Sequence, residues 1–163
     1  MGTWTHAFKL LALAGGALVM AGSCEGRRSL SLRSIEKLIR AGSIFFSVTM
    51  IVFGIDHFLY TEIVATLVPE WIPGHYFWTY FAAVALIGSG VAIILRIKLE
   101  LIGSLLGLMI FLWFILLHLP RAFADPMSNI GNEVTSTFQA LGFSGIALMV
   151  AGQKKVFRLK ELC

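Results

Sequence analysis

Two histidines interrupt stretches that are otherwise almost wholly apolar. His57 lies in Phe53-Gly54-Ile55-Asp56-His57-Phe58-Leu59, and His118 in Phe114-Ile115-Leu116-Leu117-His118-Leu119-Pro120-Arg121. An imidazole titrates near neutral pH, donates or accepts hydrogen bonds and can ligate iron. Arg121 adds a permanently charged, planar fork of donors, and Asp56 a carboxylate beside His57. Ionisable residues in such surroundings are expensive, and a functional role is the default reading. His57, His118, Arg121 and Asp56 are therefore the candidate cofactor-binding residues. They suit a quinone, whose carbonyl needs a hydrogen-bond donor and a route for protons. The alternative is haem b held between the two imidazoles. No residue is assigned a catalytic role, and no metal-ion site is assigned.

The elements that must position these side chains follow from composition. Hydrophobic residues make up 58% of the 163-residue chain and charged residues 13%, and the mean hydropathy is +0.85. A soluble domain carries roughly 45–50% apolar and about 25% charged residues. Lipid must be the solvent. Five runs have the length to cross about 30 Å of hydrocarbon: 4–22, 41–59, 76–95, 99–119 and 134–152. None shows the alternation of a barrel strand, and an open strand in lipid would leave its backbone unsatisfied. The expected fold is all-α: a polytopic four-helix transmembrane bundle plus one additional N-terminal transmembrane helix.

Punctuation and charge supply the topology. Pro69 and Pro73 fall in the loop 61–75, Pro120 is expected to close the fourth span, and Pro126 with Asn129, Gly131 and Asn132 marks the next loop. Only Arg96-Ile97-Lys98 separates spans three and four, so these must be antiparallel neighbours. Gly103 and Gly107 permit a close helix contact in the fourth span. Eleven of the thirteen basic residues lie between spans one and two, between three and four, or after five. Only Lys9 and Arg121 lie elsewhere. The positive-inside rule puts the basic connections in the cytoplasm, hence the N-terminus outside and the C-terminus inside a cell inner (plasma) membrane. These cations are read as topology signals and anionic-lipid contacts, with no nucleic-acid partner.

All four histidines (His6, His57, His75, His118) then map to the outer face, with Asp56, Glu62, Glu70, Arg121, Asp125 and Glu133. Trp71, Trp78, Tyr60, Tyr76 and Tyr80 sit at interface depth. The first run could pass for a signal peptide ending near Cys24, but its n-region is weakly basic and it is expected to stay as a helix. A shift of 130 residues superposes Thr5, Phe8, Leu11, Gly15 and Ala17 on Thr135, Phe138, Leu141, Gly145 and Ala147. The first span therefore reads as a copy of the last, parallel to it, with Gly15 and Gly16 in tight helix contact. The two cysteines, Cys24 and Cys163, form no Cys-x-x-Cys pair, which excludes dithiol chemistry from this chain alone. Glycine-rich phosphate loops, His-Glu-x-x-His and Cys-x-x-Cys-His are likewise absent.

Three segments carry a family likeness. Phe53-Gly54-Ile55-Asp56-His57-Phe58, then Val68-Pro69-Glu70-Trp71-Ile72-Pro73-Gly74 with Phe77-Trp78, then Leu117-His118-Leu119-Pro120-Arg121-Ala122, together resemble the DoxX-like group of small four-helix membrane proteins. The resemblance spans about Ile35 to Gly152. It implies a four-helix bundle and an association with membrane redox systems, and it transfers no catalytic residue. The chain then divides into the additional helix 1–24, a basic connection 25–40, the four-helix domain 41–152 and a basic tail 153–163. Two function classes follow. One is an accessory or structural subunit of a membrane redox or respiratory complex, whose partners are the lipid bilayer and other membrane subunits or further copies of itself. The other is a quinone- or haem-binding redox protein with its site at the outer helix ends. Whether the chain is an enzyme stays open at this level.

Overall fold

In hydrocarbon a backbone must satisfy its own hydrogen bonds, and each apolar run does so as a helix. The structure, a computed structural model, describes residues 3–24, 31–124 and 132–161, without the side chains of 3, 24, 32, 132 and 154–161. Its elements are α1 (Thr3–Cys24), α2 (Leu32–Leu59), α3 (Thr61–Ala65), α4 (His75–Ile94), α5 (Leu99–Trp113), a π-helical turn (Phe114–His118), α6 (Leu119–Ala124) and α7 (Asn132–Glu161). No strand occurs among the described residues. Five segments are long and apolar enough to cross a membrane: Trp4–Ser23, Arg33–Leu59, His75–Ile94, Leu99–Ala124 and Glu133–Gln153. The fold is an all-α polytopic bundle. Arg27, Arg28, Asp125, Pro126, Asn129, Gly131 and Cys163 lie outside the described residues.

Three boundaries differ from the hydropathy reading. Helix α2 begins at Leu32 rather than Ala41, because the Ser31 hydroxyl accepts from the Ser34 amide at 3.2 Å and caps it. Arg33, Lys37 and Arg40 consequently stand on a helix. The loop 61–75 contains a short helix, α3. Pro120, expected to end the fourth span, is instead followed by helix as far as Ala124. Proline lacks an N–H, and its ring clashes with the carbonyl four residues back. The preceding π turn absorbs both effects, with the Leu119 amide bonding five residues back to the Phe114 carbonyl.

Neighbouring helices form a closed ring in the order α1, α2, α4, α5, α7 and back to α1. Small residues set the contacts. A β-carbon on Gly54 would stand 2.8 Å from the Ala83 carbonyl, and one on Gly90 2.8 Å from that of Ser47, so α2 and α4 run antiparallel in close approach. Gly103 meets Ala147 and Ala151, and Gly107 meets Ser144 and Leu148, which makes α5 and α7 a second antiparallel pair. Helix α1 lies between α2 and α7, its Gly15 against Gly42 and its Gly16 against Ile146. Lys9 reaches Ser136 at 3.3 Å, so α1 runs parallel to α7. Inside the ring, the Phe143 ring packs 6.4 Å from Phe46 and 6.1 Å from Phe53, centroid to centroid. Lipid removes most of the hydrophobic drive between spans, leaving close packing and interhelical hydrogen bonds to hold them.

Candidate functional site at one end of the bundle

The ring places the starts of α1, α4 and α7 and the ends of α2 and α6 at one end. His118 closes the π turn, one turn before Arg121 on α6. The Arg121 guanidinium grips the Glu133 carboxylate with both arms of its fork: Nη2 donates to Oε1 at 3.0 Å and Nε to Oε2 at 3.3 Å. Glu133 is the deeper partner, its side chain 13% exposed against 35% for Arg121. The Thr137 hydroxyl lies 2.8 Å from the Glu133 carbonyl oxygen and 3.1 Å from that of His118, tying α7 to the π turn. Lys9 of α1 donates to the Ser136 hydroxyl. The His118 ring stands within electrostatic range of Glu133, Arg121 and Lys9.

Two buried polar atoms at this end have no hydrogen-bond partner among the described residues: His118 Nδ1 and Gln139 Oε1. Such orphans are rare and usually mark strain, a functional group or a missing ligand. A π turn in a helix is likewise common at functional sites.

Of the candidate residues, two meet at the π turn and two are neighbours on α2. Arg121 and His118 come together, joined by Glu133 and Lys9. His57 bonds within its own helix: Nδ1 lies 2.7 Å from the Phe53 carbonyl oxygen. A carbonyl only accepts, so Nδ1 carries the proton and Nε2 is the nitrogen left for another partner. Asp56 is half-buried and interacts electrostatically with the His57 ring. Helix α2, which carries this pair, packs against α1, α3 and α4, whereas the π turn packs against α5, α6 and α7.

Sequence reasoning assigned Lys9, Glu133, Thr137 and Gln139 no site role. A signal existed for two of them: Lys9 is one of only two cations off the basic faces, and Glu133 opens the last span. Residues of the 61–75 loop, α4 and α5 form a further group at this end. The Tyr76 hydroxyl donates to Glu62 at 3.2 Å, the Trp78 indole donates to the Pro73 carbonyl at 3.2 Å, and the Trp78 and Trp113 rings meet edge to face at 6.0 Å. This aromatic set ties the 61–75 loop to α4 and α5. Among the described residues, no three His, Cys, Asp or Glu side chains are grouped to hold a metal ion. Compared with known proteins, the chain matches no family, no curated protein and no solved structure.

Proposed function

We propose that this multi-pass membrane protein is a DoxX-like accessory subunit of a membrane redox assembly, with its N-terminus outside and its C-terminus in the cytoplasm of the plasma membrane. The observation that carries the reading is how its buried and half-buried polar groups are used. Arg121 with Glu133, Thr137 with the His118 carbonyl, Lys9 with Ser136, Ser144 with the Gly107 carbonyl and Gln153 with Ser43 all join one helix to another. Groups spent on locking a bundle suit a scaffold that keeps one shape against its partners. The redox association rests on the DoxX-like segments around His57, Pro69 and His118. Blue-native separation of mildly solubilised membranes tests the role, with the chain expected in a complex well above its own mass. Migration only as its own monomer or small oligomer would overturn it.

A second reading is favoured by the orphaned His118 Nδ1. A quinone carbonyl at that nitrogen, beside the Arg121 guanidinium, would satisfy the donor the fold leaves unused. Lipid extraction and chromatography of the purified protein would then recover quinone, and His118→Ala would lose it. Haem would show instead as a Soret band.

A further inference from the structure

The opposite, basic end holds a small cleft of mixed lining that the histidine cluster does not involve. Its floor is made by Ser43, Ile93, Leu99 and Gln153, and its rim by Arg40, Ile44, Ile94 and Arg96. The floor residues are buried and the rim residues exposed. The enclosed part measures about 10 Å³, room for one water molecule or one oxyanion oxygen. Four elements, α2, α4, α5 and α7, and the turn between α4 and α5 converge there.

The two polar floor residues bond each other. Ser43 Oγ donates its one proton to the Ile39 carbonyl at 2.8 Å and accepts from Gln153 Nε2 at 2.6 Å. Gln153, 3% exposed, keeps a second N–H on the same nitrogen. At the rim, no described side chain pairs with Arg40, and Arg96 approaches Glu36 only at 3.7 Å. Two guanidinium groups thus line one small opening, with the half-exposed Glu36 carboxylate beside Arg96.

The backbone sets where Arg96 stands, in a turn whose Lys98 is left-handed as well, at φ 40°. Helix α4 ends in a Schellman motif, with the Ile97 amide bonding to the Ala92 carbonyl at 2.8 Å and the Arg96 amide to that of Ile93 at 3.0 Å. The left-handed residue in that motif is ordinarily glycine, yet here it is Arg96, at φ 58°. A side chain in this conformation is strained, and strain of this kind concentrates where a group is needed in place. Here the group delivered is the guanidinium at the cleft rim.

We propose that the cleft binds the phosphodiester of an anionic phospholipid. Arg40 and Arg96 bracket the phosphate as bidentate donors, one phosphoryl oxygen points toward Gln153 Nε2, and Ile44 and Ile94 line the start of the acyl chains. The pairing of a charged rim with an apolar lipid-facing wall favours a lipid over a free anion, since only a lipid fills both.

The test uses the full chain, purified and delipidated in uncharged detergent, with its thermal unfolding followed on addition of phosphatidylglycerol, phosphatidylcholine or inorganic phosphate. Phosphatidylglycerol should raise the midpoint by several degrees, and the other two should leave it in place. The rise should fall by half or more in Arg40→Gln and in Arg96→Gly, and persist in Lys37→Gln, an exposed cation outside the cleft. Glycine suits the Arg96 backbone, so Arg96→Gly should be at least as stable as the parent without lipid, which separates a lost site from a lost fold. An equal rise with phosphatidylcholine, a rise with phosphate alone, or an undiminished response in either arginine variant would overturn the proposal.

Discussion

The carbonyl oxygen of Gly42 lies 2.5 Å from the point where a β-carbon on Gly15 would stand, and the relation is reciprocal across the α1–α2 contact. No side chain fits between these backbones. Gly15→Leu should therefore force the two helices apart, at a cost of about 1–3 kcal/mol or more. Gly145→Ala is the control, because nothing lies within 4 Å of its added carbon, and the better helix former should leave stability unchanged or raise it by up to about 1 kcal/mol. Thermal unfolding in detergent measures both.

The Arg121–Glu133 pair should respond asymmetrically. Glu133 is the more deeply placed, so Arg121→Met strands a carboxylate and should cost about 2 kcal/mol, short of the roughly 3–5 kcal/mol for fully buried pairs because Arg121 is about one-third exposed. Adding Glu133→Leu should restore part of that loss, since an apolar pair of similar volume needs no counter-charge. A double variant less stable than Arg121→Met alone would contradict this account of the pair.

Ser144 donates to the Gly107 carbonyl at 2.9 Å between α7 and α5. Hydrogen bonds between membrane helices average only about 0.6 kcal/mol, so Ser144→Ala should be nearly silent in unfolding experiments. Gly107→Leu should not be, because even its β-carbon would press on Leu148 at 2.9 Å. The comparison tests whether packing outweighs polar contacts in this interface.

Topology has its own measurement. In a chain carrying Cys24→Ser and Cys163→Ser, single cysteines at Glu62 and at Arg33 should react with an impermeant maleimide from opposite faces of the membrane, Glu62 from outside. Labelling of both from one side would overturn the layout, and labelling of Glu62 from inside would reverse it.

Much of this could be read along the chain. Five spans, their antiparallel connections and the gathering of basic residues at one end depend on hydropathy and charge summed over about 20 residues, and such sums need no knowledge of neighbours. The Gly103 and Gly107 spacing likewise foretold a close contact, found against Ala147, Ala151, Ser144 and Leu148. Pro120 misled, since a proline's effect depends on whether the preceding turn can loosen, and the Phe114–His118 segment does so. Which side chains meet was decided only in three dimensions, because pairing depends on each helix's rotation about its axis and on the order of helices around the ring. That rotation gives Arg121 to Glu133, and it brings Ser43 of α2 to Gln153 of α7, 110 residues apart in sequence. Hydropathy assigned these residues to their spans and span ends; close packing at the glycine seams turned the helices toward the partners they have.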